Sequence, residues 1–329
     1  MGACGAPPSP ASVTGASSPP FAEAVTEPVA AFAGPLSAPP EPGAPAPGAA
    51  PAEPETSPPV AAGAEEAVWT PKLPVVAREQ TRAIVLMYHS FSVVPGRLRG
   101  VLPSELEKQI RHLRENGIEI IPLSRLVEWY DGRRALPRKV AVLTMDDAEK
   151  AQYTLAWPVL QREKAPFAVA IPTFGMELPW SHAGRFDWAE LEVMTGSGLC
   201  ELASHGHTHS NLTGMAPGQL ENEVVRSKKI LEARAPGGGR GHSAHGRGEE
   251  GGGGARTAPP IDVFVHPFGA YDWAVMRSLE RAGYRVALGT VGEVVTHKSP
   301  RWGLGRWEVN GQTTFDRFRG YVKSAKMVD

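Results

Sequence analysis

Three short polar clusters in this chain of 329 residues carry the residue types that do chemistry. The first is Thr144-Met145-Asp146-Asp147, the second Ser204-His205-Gly206-His207-Thr208-His209, and the third His266-Pro267-Phe268-Gly269. Adjacent carboxylates on a turn point in different directions and can divide labour: one ligates a metal while the other accepts a proton. His205 and His209 have the i, i+4 spacing that sets two imidazoles on one side of a helical turn and suits one metal ion, whereas His207 projects away from that side. One Asp with two His leaves positions open for water and substrate. A divalent ion so held lowers the pKa of bound water toward about 7 and polarises a carbonyl. The neighbouring Asp then serves as general base, and the whole is a site for hydrolysing an amide or an ester. Each cluster alone has a plainer reading, since Asp-Asp after a strand often caps a helix and a His-rich loop can simply be solvated. The three together, each directly after an apolar run, favour chemistry.

To meet in space, the clusters need a scaffold that brings those runs side by side. Residues 83–88, 118–122, 140–143, 167–171, 199–203, 261–265 and 284–288 read as strands. Between them, residues 126–130, 153–164, 188–195, 217–233 and 273–282 read as helices. Another helix opens at Pro103-Ser104, with Ser104 as N-cap and Glu107 completing a capping box. Its apolar face is Leu106, Ile110 and Leu113, and Gly117 ends it. Repeated βα units of this spacing predict a parallel sheet, open or closed into a barrel, with ligands at the carboxyl ends of its strands. All three clusters sit at such ends.

Composition sets the limits of this domain. Half of the prolines (16 of 32) fall in the first 60 residues, and ten of the 36 glycines lie in the 18 residues from Gly237 to Gly254. Residues 1–71 hold seven Glu and no Lys, Arg or Asp, a net charge of −7; the remainder carries +6. The predicted organisation is therefore a disordered Pro/Ala-rich tether over 1–75 and a catalytic domain over 76–329, interrupted by a flexible Gly-rich insertion at 234–260. His242 and His245 in that insertion read as solvated residues rather than as a metal pair. No Lys/Arg run with interleaved aromatics marks nucleic-acid binding, and no apolar stretch is long enough to span a membrane. With Cys4 in the tail and Cys200 in an apolar run, no structural disulfide is expected. The opening Met1-Gly2-Ala3-Cys4 before a Pro-rich tether resembles the lipidation site of a bacterial lipoprotein. It suggests an extracytoplasmic chain, lipid-anchored at Cys4 or secreted.

Residues 81–310 resemble the polysaccharide deacetylases of carbohydrate esterase family 4, the NodB-like group. The family's Thr-Phe-Asp-Asp-Gly appears here as Thr144-Met145-Asp146-Asp147-Ala148, and its Ser-His-Thr-x-x-His as the run from Ser204 to His209. Tyr153, Pro158 and Leu160 fit the helix after the first motif, and Gly198 to Ala203 fits the strand before the second. His266-Pro267-Phe268-Gly269-Ala270-Tyr271 resembles the Tyr-Pro-Tyr-Gly-x-Tyr stretch of the branch that acts on poly-N-acetylglucosamine. Met87-Tyr88-His89 resembles that branch's opening strand.

The resemblance implies a distorted (β/α)7 barrel that removes N-acetyl groups from a cell-envelope or extracellular polysaccharide and releases acetate. Asp146 is then the general base, and Asp147, His205 and His209 hold a divalent metal, Zn2+ ahead of Co2+, Ni2+ and Fe2+. The backbone N–H of Phe268 would stabilise the oxyanion. His266, Tyr271, Arg306 and His89 are the candidate substrate-binding residues. The alternatives are an O-acetyl polysaccharide esterase with the same site and a non-catalytic glycan-binding barrel. Several positions depart from the family pattern. Ala148 replaces a Gly, and Val265 stands where many members place an Arg that holds the base. The late Leu-x-His that supplies the general acid is not evident, and His297 is the stand-in. Gly305-Arg306-Trp307 resembles the final strand.

Overall fold

A computed structural model describes residues 69–177, 184–235 and 260–327. Cys4, most of the expected tether, and His242 and His245 of the insertion lie outside the described residues. In chain order the elements begin with β1 (Val75–Val76), β2 (Arg82–Tyr88), β3 (Ser90–Phe91), β4 (Gly100–Val101), α1 (Pro103–Glu115), β5 (Glu119–Ile120), α2 (Leu123–Tyr130) and β6 (Leu136–Pro137). β7 (Lys139–Asp146) leads to a π-helical turn, Gln152–Ala156, that runs directly into α3 (Trp157–Glu163). There follow β8 (Phe167–Ile171), α4 (Thr173–Glu177), α5 (Trp188–Gly196), β9 (Cys200–Ser204) and α6 (Pro217–Glu221). A second π-helical turn, Asn222–Arg226, joins α6 to α7 (Ser227–Arg234). The chain then forms β10 (Val263–Val265), α8 (Trp273–Arg281), β11 (Val286–Leu288), β12 (Trp307–Glu308) and α9 (Phe315–Ser324).

The main sheet has the order β11-β10-β9-β8-β7-β2-β12, with β5 lying along the first residues of β7. Every pairing in it is parallel. A parallel sheet is covered on both faces, so its strands read as apolar runs rather than as alternations. One face of the strands, with Ala83, Val85, Val140, Val142, Ala168, Ala170, Ala203, Val263, Val265, Val286 and Leu288, packs as one cluster that α2 plugs with Leu123, Leu126 and Val127. The opposite face packs against the surrounding helices, with Leu106, Ile110 and Leu113 of α1, Leu231 of α7, Leu279 of α8 and Phe318 of α9. The small Ala and Val residues of the first cluster suit the tighter interior of a curled sheet.

The last part of the chain joins the two edges of the sheet. The N–H of Leu304 donates to the carbonyl of Ala287, and its carbonyl accepts from Gly289, along β11. Three residues on, Trp307 pairs with Leu86 of β2 at the other edge. Arg306 lies in this crossing segment, so its side chain is delivered to the interior. This is the expected barrel.

Two expectations need correction. Helix α1 begins at Pro103, with Leu102 as N-cap and no side-chain cap, so Ser104 and Glu107 form no capping box. Pro fits the first helical position because it has no N–H to leave unsatisfied, and its fixed φ starts the helix one residue early. Residues 69–75, grouped with the tether by composition, belong to the fold. The N–H groups of Lys72 and Leu73 donate to the Glu119 carboxylate at 2.8 and 3.0 Å, and β1 pairs antiparallel with β6.

Candidate active site

Strand periodicity places the first cluster. Val140 and Val142 face the interior, so Thr144 and Asp146 face it too, one layer higher at a time. The same count on β9 carries Ala203 to His205. Asp146 and Ala203 both pair with Ala170 of β8, so the carboxylate and the imidazole stand two strands apart on one layered surface.

Asp146 is buried, and the guanidinium of Arg306 grips it with two parallel bonds, Nη1 to Oδ1 and Nη2 to Oδ2, both 2.8 Å. Arg306 is itself held by the carbonyl of Gly289 and the hydroxyl of Thr144, at 2.8 and 3.1 Å. Burial alone would push the Asp146 carboxyl up. The Arg306 charge, helped by His205, outweighs burial and keeps it below the usual carboxylate range. The carboxylate is thus ionised yet dry, the state a general base requires. The family Arg missing at Val265 is replaced here from the crossing segment.

Asp147, His205 and His209 offer ligand atoms that all lie within 4.8 Å of one another. Asp147 Oδ1 is 3.6 Å from His205 Nε2 and 3.2 Å from His209 Nε2. The Nδ1 of His205 lies 2.8 Å from the Val265 carbonyl, which can only accept, so Nδ1 carries the proton and the Nε2 lone pair faces Asp147. Burial also pushes the His205 imidazole below its usual value, against the pull of Asp146. Burial would raise Asp147, but the hydrogen bond from His209 and the nearby imidazoles lower it to about 2. An anionic carboxylate and two imidazoles, one fixed in the ligating tautomer, fit a borderline divalent ion with positions left open.

The two His are not gathered by a helical turn, as their spacing suggested. Residues 205–209 form a loop, bent at Gly206 (φ 76°) and at His209 (φ 61°). His207 points away as expected, with Nδ1 2.9 Å from the Thr173 hydroxyl. Positive φ recurs at Asp147 (75°), Ala148 (56°) and Phe268 (60°). Such non-glycine conformations cost on the order of 1–3 kcal/mol each and cluster where function demands them. Ala148, where the family pattern has Gly, thus holds a positive-φ conformation that favours Gly. The turn is held in place from outside: Arg185 Nε donates to the Asp147 carbonyl at 3.1 Å and the Phe186 N–H to the Ala148 carbonyl at 3.1 Å.

The other candidates divide. The Phe268 ring lies edge-on to His209 at 4.9 Å, and its backbone N–H donates to no acceptor among the described residues. Tyr271 is exposed at the mouth. His89 is half-buried after β2, close enough to Asp146 and Asp147 to help hold both carboxyls down. Three assignments are corrected. Arg306 and His266 are both 0% exposed and cannot touch substrate directly. Arg306 is spent on Asp146; His266 bonds the Trp302 carbonyl at 2.8 Å and stacks under Tyr271 at 4.5 Å. His297 cannot serve as general acid. It follows Val295, which pairs with Ala83 at the amino-terminal end of β2, roughly 17 Å of strand from Tyr88. The sequence reading missed Gln152 and Glu223, whose side chains bond the backbone of the catalytic segments. Neither stands in a recognisable spacing.

The sequence profile of the polysaccharide deacetylase family matches residues 133–242. Bacillus subtilis YxkH is 22% identical over 242 residues, covering 74% of this chain and 76% of that protein. The poly-beta-1,6-N-acetyl-D-glucosamine N-deacetylase of Escherichia coli is 30% identical over 136 residues, 38% of this chain but only 20% of that protein. Among solved structures, the deacetylase PplD of Streptococcus pyogenes superimposes with a TM-score of 0.61 at 16% identity, covering 73% of this chain and 98% of PplD. IcaB from Ammonifex degensii gives 0.59 at 20% identity, covering 75% and 97%. Residues 133–242 thus carry a polysaccharide deacetylase domain, and the barrel, the Asp-Asp turn and the two-His loop around them are similar to those of that family, carbohydrate esterase family 4.

Proposed function

We propose that this protein removes N-acetyl groups from an N-acetylglucosamine-containing polysaccharide and releases acetate. The observation that carries the reading is the ionised, Arg-held Asp146 standing beside the Asp147, His205 and His209 ligand set. The name of the E. coli relative, an N-deacetylase of poly-beta-1,6-N-acetyl-D-glucosamine, supports the substrate class. A divalent ion on the three ligands, Zn2+ by donor chemistry, would supply Lewis acidity toward water and the acetyl carbonyl. Asp146 takes the proton of the water as it adds to the carbonyl carbon. The Phe268 N–H donates to the oxygen that gains negative charge. His89, half-buried after β2, would give a proton to the sugar nitrogen as the C–N bond breaks, leaving a free amine and acetate. Tyr271, exposed and stacked on His266, would support a sugar ring. An extracytoplasmic location, with Cys4 lipidated, completes the proposal; mass spectrometry of protein from its native host tests that part.

Acetate release from N-acetylglucosamine oligomers is the test, with chelator-treated and Asp146→Asn controls. The wild type is expected to exceed the Asn variant by at least about 10²-fold. Release that is equal in the two, or unaffected by the chelator, overturns the reading. Preference for a chromogenic O-acetyl ester would reassign the same site to an esterase.

A further inference from the structure

We propose that the two π-helical turns are the positioning device of this site, with Glu223 fixing the metal-ligating loop and Gln152 fixing the base segment. The proposal rests on the reading of the site given above. π turns widen a helix by one residue and occur often at functional sites. Here each carries a buried polar residue aimed at the backbone of a catalytic segment. Glu223 is 4% exposed and has no ion-pair partner among the described residues. Its Oε2 accepts from the N–H groups of His207 and Thr208, both at 2.8 Å, and its Oε1 accepts from the Thr208 hydroxyl at 2.6 Å. These three bonds fall inside the loop that joins His205 to His209. A Cβ added at Gly206 would sit 3.2 Å from Glu223 Oε2, so the loop is packed directly on the carboxylate. Burying a carboxylate among neutral donors is costly compared with an apolar side chain. The arrangement makes sense if the loop must hold one shape, including the strained His209.

Gln152 does the corresponding task on the other half. Its amide donates to the carbonyls of Asp146 and His89, at 2.5 and 2.7 Å, and so ties the end of β7 to the end of β2. Among the described residues it hydrogen-bonds neither ligand imidazole. The two residues should therefore fail differently, Glu223 through metal affinity and Gln152 through turnover.

The experiment titrates metal-free protein with Co2+, read by its visible absorbance, beside acetate release and circular dichroism, for Glu223→Ala, Glu223→Gln, Thr208→Val and Gln152→Ala. Glu223→Ala should weaken Co2+ binding about tenfold or more. Glu223→Gln should lose affinity, but clearly less than Glu223→Ala, because the amide oxygen can take both N–H bonds and only the bond from the Thr208 hydroxyl is lost. Gln152→Ala should keep its Co2+ affinity and lose about tenfold in kcat with KM unchanged. Folded Glu223→Ala with wild-type affinity overturns the proposal, as does Gln152→Ala with wild-type turnover. So does an equal loss of both properties in both variants, which is what general destabilisation would give. Should Glu223→Ala not fold, Thr208→Val decides, because it deletes one of the three bonds; unchanged Co2+ binding there overturns the proposal. A wild-type protein that binds no Co2+ would defeat the site reading itself, and one that binds Co2+ without releasing acetate would defeat only the substrate reading.

Discussion

Asp146 and Arg306 show how one side-chain pair sets the reactivity of the site. The carboxylate is dry, and dryness by itself would favour the protonated, useless form; two parallel hydrogen bonds reverse that preference. Replacing Arg306 with Met keeps the bulk and removes the charge. Burial is then opposed only by the neighbouring imidazoles, so the Asp146 pKa rises and the acid limb of kcat/KM moves to higher pH. Breaking one partner of a buried pair should also lower stability by about 3–5 kcal/mol, measured by urea unfolding. Arg306→Lys restores charge without the planar fork and should fall between the two. An acid limb that does not move in Arg306→Met would show that something else keeps the base ionised. The pair also marks a limit of sequence reading. Asp146, Asp147, His205 and His209 were legible because their types and spacings are local. The contact between residues 160 apart was not, and Arg306 was taken for a substrate residue although it stands in the right neighbourhood.

At the level of elements, the crossing segment decides whether that pair forms. Gly305 precedes Arg306, and a Cβ there would lie 2.8 Å from the carbonyls of both Val291 and Glu293. Backbone on two sides cannot yield cheaply. Gly305→Ala is therefore expected to displace the segment and lower kcat about tenfold or more, because misplacement of a catalytic group by 1 Å can cost about 10²-fold. A variant of wild-type rate and melting temperature would contradict the packing. The strands that position the site were readable as apolar runs: residues 167–171 were expected and β8 spans Phe167–Ile171. β7 continues through Asp146, beyond the predicted end at 143, since the polar Thr144 and Asp146 still pair with β8. The π turns were read as plain helix, because a one-residue widening leaves the apolar pattern almost intact. His297 was misplaced because its sequence distance from the last strand says nothing of which end of the barrel it occupies.

Across the whole molecule, folding and proton binding are linked through the buried imidazoles. Burial lowers His205 and His207, and takes His266 to about 4 against the pull of the Trp302 carbonyl. The unfolded imidazole, with a pKa of about 6.5, therefore binds protons where the folded one does not, and stability rises with pH across that window. The contribution is fully present above about pH 6.5 and is lost as pH falls toward 4, with His266 alone worth on the order of 3 kcal/mol. Asp146 and Asp147 act lower down: their stabilisation holds above about pH 4 and declines as pH drops toward the folded values, about 2 for Asp147. Urea unfolding of chelator-treated protein at pH 7.5, 6, 5 and 4 should show this decline, and a flat profile would contradict a buried neutral His266. At neutral pH a divalent ion at 100 times its Kd should add about 2.7 kcal/mol, and the gain should shrink with acid.

The order of synthesis gives the crossing segment a further meaning. Asp146, Asp147 and the His pair all leave the ribosome well before Arg306. Until that late residue arrives and the sheet edges join, the growing chain holds a base without its counterion and a barrel still open at the seam. Hydrolytic competence thus waits for the crossing segment, and a translation product that stops before Arg306 would carry the ligand residues yet leave the base without its counterion.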